Sequence, residues 1–159
     1  MKKLTCIILI GLVIGIVASA PRQAAAEGEA GSVTGAGRGA FPAGASFGSV
    51  SVTGLDFGTG VFFEPDGSAT GPFSVLLTGR SLLGQPRQIT VDGKVLQGAV
   101  APNGQANLSG IATVNFGDGT PSLPGVPFTV TATADRLSLT LNSIALPAVP
   151  LSIGAVGIE

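Results

Sequence analysis

Apolar and polar residues alternate along much of the chain, most clearly in the segment VPFTVTATADRLSLTLN, residues 126 to 142. A period of two residues places alternate side chains on opposite faces of a β-strand. The corner between the two alternating runs falls at Asp135 and Arg136. The pattern therefore predicts an antiparallel hairpin with one buried and one solvated face. The predicted inward residues are Phe128, Val130, Ala132 and Ala134 before the corner, and Leu137, Leu139 and Leu141 after it.

A second alternating segment, residues 105 to 116, predicts another strand of this kind, in which only Ile111 is a large apolar residue on the solvated face. On the outward face of the segment described first, Thr129, Thr131 and Thr133 form a hydroxyl row. We attribute that row to the preference of threonine for strands. The predicted inward residues of the second segment are Ala106, Leu108, Gly110, Ala112, Val114 and Phe116.

Dipeptides that favour tight turns divide the rest of the chain into short segments: Asp66-Gly67, Asp92-Gly93, Asn103-Gly104 and Asp118-Gly119. Glycine supplies the positive φ of a hairpin turn, and the spacing leaves no room for ordinary helices. Strands are predicted at about residues 46–54, 60–64, 70–79, 87–92, 94–101, 105–116, 126–134, 137–144 and 151–158. The predicted fold class is all-β. An antiparallel β-sandwich of about eight to nine short strands is favoured by the small inward residues, with a closed β-barrel as the alternative.

The first 26 residues are predicted to be a Sec-type signal peptide of bacterial character. Two lysines precede an apolar run from Leu4 to about Val17, which is shorter than the roughly 20 residues of a membrane span. Small residues at 24–26 suit a signal peptidase, so cleavage is expected after Ala26. The predicted location is the cell envelope or the extracellular medium.

Three regions follow: a signal peptide at 1–26, a glycine-rich leader at 27–44 and a single β-domain at 45–159. The leader has no sustained period, and one short strand is expected near 31–34. Cys6 is the only cysteine and lies in the signal segment, so the exported protein is predicted to lack disulfides. Removing 26 of the 159 residues leaves 133, which is enough for one core.

Charge and composition exclude several classes of function. After cleavage the chain would carry five basic and nine acidic residues, a net charge of −4, with no basic patch for nucleic acid or an anionic membrane. No membrane span is expected to remain. The sequence has no histidine, tyrosine or tryptophan. Serine–histidine and cysteine–histidine catalysis, thiolate or imidazole metal sites and the usual aromatic platforms for sugars are therefore not expected.

The segment NFGDGTP, residues 115 to 121, is the candidate metal site, because Asn115, Asp118 and Thr120 could present oxygens to calcium from a glycine-rich loop. Calcium takes six to eight oxygen ligands, usually including several carboxylates, and this loop has one acid. A plain hairpin loop is therefore favoured, and no cofactor is predicted, with calcium as the alternative.

Carboxylates are the other candidate chemistry, since a polysaccharide hydrolase needs two of them on either side of a cleft. Most of them sit at turns or strand ends, where aspartate before glycine is first a turn device. No catalytic residue is predicted. The acids available to such a hydrolase are Asp56, Glu64, Asp66, Asp92, Asp118 and Asp135.

The stretches NGQANLSGIATVNFGDG, VPFTVTATAD and LSLTL resemble the C-terminal half of small secreted bacterial β-modules called post-COAP-type domains. Phe47 and Gly48 resemble an early strand of that family, and the similarity spans Ala45 to Ile158. The chain lacks the family's tyrosine before the phenylalanine and its second acid in the later loop. The resemblance implies an exported protein without an assigned activity. The other matching positions are Ala106, Gly110, Val114, Asn115, Phe128, Val130 and Asp135.

These observations predict an exported, non-enzymatic β-protein with a structural or binding role at the cell envelope or outside the cell. Its partner class would be a cell-surface component or another protein. Two alternatives stay open: a carboxylate-dependent polysaccharide hydrolase, and a subunit of a surface assembly that pairs through edge strands.

Overall fold

A computed structural model describes residues 30–159, so the predicted signal peptide lies outside the described residues. This part of the chain contains β-strands and turns and no helix, and hence no helix able to span a bilayer. All strand pairings are antiparallel, which confirms the predicted fold class. The strands are β1 (Gly31–Ala40), β2 (Ser46–Phe47), β3 (Val50–Phe63), β4 (Ser68–Ser81), β5 (Pro86–Val100), β6 (Ala106–Asn115), β7 (Leu123–Thr133), β8 (Arg136–Leu141), β9 (Ile144–Ala145) and β10 (Val149–Ile158).

The ladders follow a path that returns to its first strand. The order is β1-β10-β8-β7-β6-β5-β4-β3, and β3 pairs in turn with β1. The two-residue strands β2 and β9 lie beside β3 and β8. The link between β10 and β8 is the shortest in this path, since it consists of Val149 opposite Leu137 and Pro150 opposite Arg136. Such closure removes most of the unpaired edges of a sheet.

Strand β1 lies between β3 and β10 and pairs with both of them. The prediction that residues 27–44 form a loose leader before a domain starting at 45 is therefore wrong from Gly31 onwards. The short strand expected near 31–34 is the start of β1, and its continuation to Ala40 was missed because glycine occupies inward positions where hydrophobic residues were expected. At Gly37, for example, a Cβ atom would lie 2.9 Å from Cε1 of Phe57, so the neighbouring strand fills the core there.

One hydrophobic cluster runs through the interior, and no polar or charged side chain of the described residues is buried. The inward and outward faces predicted for β6, β7 and β8 are confirmed, and Ile111 faces outward with 49% of its surface exposed. The turn between β7 and β8 is at Ala134 and Asp135, one residue earlier than predicted, so Ala134 is exposed. Register is fixed because a shift by one residue would bury the hydroxyl rows.

Strand β5 corrects a second prediction, because Asp92-Gly93 is not a turn but lies inside one continuous strand. The ring of Phe128 lies over Gly93, where a Cβ atom would be 2.7 Å from the ring carbon Cε1. Phe128 also stacks on Phe73, with ring centroids 5.2 Å apart and an interplanar angle of 16°. Gly93 therefore makes room for an aromatic pair. In the same way, the two strands predicted within residues 46–64 are largely one strand, β3.

Successive turns alternate between the two ends of the sheet, because neighbouring strands are antiparallel. We call one end the arginine end, defined by Arg80 and Arg87 on either side of the β4–β5 turn. The opposite end, here the acidic end, carries Glu64, Asp66 and Glu159. The first and last described strands also meet at the acidic end, where the backbones of Ser32 and Glu159 exchange two hydrogen bonds, Ser32 N to Glu159 O at 2.7 Å and Glu159 N to Ser32 O at 3.0 Å.

Candidate functional site

A groove of about 590 Å³ crosses the outer face of β5, β6 and β7 and reaches the β3–β4 turn. Five of its eleven lining residues carry uncharged polar side chains, the others but one are glycine or aliphatic, and Asp66 at one end is its only charged residue. We call it the hydroxyl–amide groove. Its polar side chains from the three strands are Gln97, Asn107, Ser109, Thr129 and Thr131.

The groove exists because outward positions of three strands align in register. Ser109 lies opposite both Gln97 and Thr129, and Asn107 lies opposite Thr131. The residues between them on each strand point inward and are buried, as Leu108 and Val130 show. Burial of the aliphatic residues thus forces the hydroxyl and amide groups together on the outside.

Most of the polar groups in the groove are available to a ligand. Asn107 Oδ1 accepts hydrogen bonds from Thr131 Oγ1 at 3.1 Å and from Gln105 Nε2 at 3.2 Å, which leaves the amide nitrogen of Asn107 for other partners. The side chains of Gln97, Ser109 and Thr129 take part in none of the hydrogen bonds between described residues. Together they offer both donors and acceptors without a net charge.

The candidate calcium loop uses its oxygens within the loop itself. Asn115 Oδ1 accepts a hydrogen bond from the backbone N–H of Gly117 at 2.8 Å. Asp118 Oδ1 accepts from the hydroxyl of Thr120 at 2.6 Å and from its backbone N–H at 2.9 Å. Within residues 30–159 no three metal-ligating acidic, histidine or cysteine residues cluster. These bonds are those of a side-chain-stabilised turn, and the calcium hypothesis stays a prediction.

Two of the six candidate carboxylates meet at one groove. Asp56 and Asp92 line a groove of about 400 Å³ on the outer face of β3, β4 and β5. Asp56 forms an ion pair with Arg38, its ladder partner on β1, with Nε and Oδ1 2.5 Å apart. The other acids do not line this groove.

Two exposed aspartates should make the fold acid-sensitive. Hydrogen bonds from Ser68 lower the pKa of Asp66, with its side chain as the larger cause, and those from Thr120 do the same for Asp118. A lowered pKa stabilises the fold above the unfolded value of about 3.9, and this stabilisation is lost as pH falls through the folded value. We expect a melting temperature that is flat near neutral pH, where no histidine titrates, and that falls below about pH 4.

Thermal melts followed by circular dichroism across this range measure the effect. The matched control is the double variant D66N/D118N, whose amide oxygens still accept the turn hydrogen bonds but do not titrate. The melting temperature of this variant should decrease less on acidification than that of the wild type. An identical slope for the two proteins would contradict the assignment.

Sequence reasoning found part of the candidate site. It singled out the threonine row but treated the row as a consequence of strand preference, and it did not connect the row with Gln97, Asn107 or Ser109. The signal was present in the outward positions of residues 105 to 116, but only the register between β6 and β7 places them beside Thr129.

Comparison with protein-family models, with curated proteins and with solved structures finds no match to this chain. The resemblance to post-COAP-type domains therefore stays a prediction, and the function has to be argued from the geometry alone.

Proposed function

We propose that this chain is an exported, non-enzymatic β-protein that binds a neutral, hydroxyl-rich ligand in the hydroxyl–amide groove. The observation that carries the proposal is the alignment of uncharged donors and acceptors across β5, β6 and β7, since the side chains of Gln97, Ser109 and Thr129 have no hydrogen-bond partner among the described residues. A role in binding rather than turnover is supported by the absence of buried polar side chains among residues 30–159, since catalytic groups usually sit in desolvated sites.

The chemistry of the groove favours a polymer over a small molecule. A net hydrogen bond between neutral groups contributes about 0.5–1.5 kcal/mol, so four or five of them give about millimolar affinity. The groove contains no aromatic ring on which a sugar could stack. A repeating polymer presents many overlapping sites to the groove, which raises the apparent affinity per polymer chain in proportion to their number. A neutral polysaccharide of the cell envelope or its surroundings fits these requirements.

Replacing the hydroxyls of Thr129 and Thr131 tests the proposal. The variant T129V/T131V keeps the β-branched shape but removes two hydrogen-bonding groups, and its retention on an insoluble neutral polysaccharide should fall about tenfold. The control T34V/T70V makes the same change at exposed outward positions of β1 and β4 and should bind like the wild type. Co-sedimentation with a panel of neutral polysaccharides is the measurement. Equal retention of the groove variant and the wild type would refute the assignment.

The second candidate is the carboxylate-dependent hydrolase, and the placement of Asp56 and Asp92 on one groove favours it. The two residues are two strands apart and offset by two positions, which puts their Cα atoms roughly 12 Å apart. Inverting glycosidases hold their carboxyl groups about 6.5–9.5 Å apart, so both side chains would have to lean toward each other and Asp56 would have to leave its ion pair with Arg38. Release of reducing sugar by the wild type but not by D92N, in the same polysaccharide panel, would establish this function instead.

The third candidate function is a subunit that pairs through edge strands, and the closed path of ladders leaves few unpaired edges for such pairing. Among the described residues, the main unpaired edges are β2, β9, the first four residues of β5 on the side of β6, and the side of β10 beyond Pro150 that faces away from β1. Part of that side is also covered, because Leu151 N and Val156 N donate hydrogen bonds to the β7–β8 turn. Side-chain recognition on the outer face is therefore better supported than edge pairing.

A further inference from the structure

Leu82 and Leu83 form the tip of the β4–β5 hairpin and leave 87% and 86% of their surfaces exposed. These are the most exposed large hydrophobic residues of the described chain. Thr90 of β5 pairs with Asn115, the last residue of β6. Strand β5 begins four residues before Thr90, so the hairpin tip projects past the end of β6. Exposed apolar side chains that are grouped together are more informative than single ones, so this tip is a candidate contact surface.

The leucines are not needed to form the turn. The turn is held by Gly84 N donating to Ser81 O at 2.8 Å and Ser81 N donating to Gln85 O at 2.9 Å. Gly84 supplies the positive φ, at 77°. In addition, Arg80 Nη1 donates to the carbonyl of Gly84 at 3.0 Å. The hairpin is therefore ordered by polar contacts, and the two apolar side chains are left to solvent.

Positive charge accompanies the exposed leucines. Arg80 and Arg87 flank the turn, and Arg87 Nη1 donates to the carbonyl of Gly117 in the adjacent β6–β7 loop. Asp118 is the one acid of these two loops. The acidic end, with Glu64 and Glu159 among its residues, lies at the other end of the sheet. The molecule is therefore polarised although its described part is net negative.

Further exposed aliphatic residues lie at the same end. Leu123 begins β7 and is 51% exposed, and Ile144 follows the turn after β8 and is 40% exposed. By the alternation of turns, both belong to the arginine end. This end thus combines a projecting apolar tip, secondary apolar contacts and a pair of arginines against one aspartate, a net charge of +1 rather than an extended basic patch.

We propose that the arginine end docks on an anionic phospholipid surface. Leu82 and Leu83 insert below the headgroups, and Arg80 and Arg87 contact the lipid phosphates. A bilayer covers a convex apolar tip without a shaped pocket, and anionic lipids attract basic side chains near the surface. The acidic end then points away from the membrane, which orients the hydroxyl–amide groove along the side of the molecule.

A tryptophan at the tip reports insertion directly, because the chain contains no tryptophan of its own. In the purified protein, the emission of L83W should shift to the blue when vesicles of mixed phosphatidylglycerol and phosphatidylcholine are added. The control V100W places the probe near the acidic end and should show no shift. High salt or pure phosphatidylcholine should weaken the response, because the arginines then contribute less.

Removal of the tip side chains gives the second arm. The variant L82S/L83S should co-sediment at least tenfold less with the mixed vesicles. The control variant L96S, which replaces an exposed leucine on the outer face of β5, should bind the vesicles like the wild type. Since both leucines are exposed, the double variant should keep the wild-type melting temperature. Unshifted L83W emission, or wild-type vesicle binding by L82S/L83S, would overturn the proposal. A leucine-dependent dimer that forms without vesicles and excludes them would equally overturn it in favour of a second copy.

Discussion

Deletion of β1, residues 31–40, is expected to abolish cooperative folding of the remaining chain. Every residue from Gly31 to Ala40 pairs with β3, and most also pair with β10. Without β1, strand β10 keeps only its two residue pairs with β8, and core residues such as Val61 and Val156 lose their cover. Native domains are stable by only about 5–15 kcal/mol. Removing a central strand costs more free energy than this, so the remaining chain should not fold.

Thermal unfolding monitored by circular dichroism provides the measurement. A chain that begins at Ala30 keeps every described strand and is the matched control, with a sharp transition expected. A chain that begins at Ala45 should show no cooperative transition, and addition of a peptide of residues 30–41 should restore part of it by supplying the missing strand. A sharp, unshifted melt of the chain beginning at Ala45 would contradict the role given to β1.

Substitution of Gly110 by alanine is expected to have the second largest effect. A Cβ atom at this position would collide with the backbone oxygen of Lys94 on β5 and lie 3.0 Å from Cε1 of Phe128. The backbone cannot give way without disturbing the β5–β6 ladder, and the ring is held by its stacking on Phe73. Overpacking of this kind costs about 1–3 kcal/mol. For a domain of this size we expect the melting temperature to fall by about 10 °C.

The matched control for G110A is G58A. Gly58 is also inside a strand, but its Cβ would meet only the Ser74 hydroxyl at 3.5 Å, an ordinary contact. Alanine there should be neutral or slightly stabilising, because it reduces the freedom of the unfolded chain. Equal melting temperatures for G110A and G58A would show that the sheet can widen around Gly110, and the close approach of β5 and β6 would then not be a constraint.

The strands with regular alternation could be predicted from the sequence, because each position reports its own face. In β7 and β8, leucine, valine and phenylalanine occupy the inward positions and threonine and serine the outward ones. Only the start of β1, near residues 31–34, could be expected as a strand, since its later inward positions hold glycines that let Phe57 fill the core. The prediction of a turn at Asp92-Gly93 was wrong for a related reason, because this glycine makes room for the ring of Phe128 from β7.

The candidate sites could be predicted only in part. The row of Thr129 and Thr131 is visible along one strand, but the groove arises from register with β5 and β6, and register between separate strands is a long-range property. The juxtaposition of Asp56 and Asp92 depends on register in the same way. By contrast, the segment Arg80-Ser81-Leu82-Leu83-Gly84 is local, and two leucines before a turn glycine were a signal that sequence reasoning passed over.

The pairing of β1 with β10 also bears on when the chain can complete its structure. These strands are the first and last of the described part, so their ladder has the largest sequence separation in the sheet and contributes strongly to contact order. The path of ladders cannot close until β10 is available, and this long-range step slows the completion of folding. A polypeptide that must pass through a translocation channel before folding would benefit from this delay.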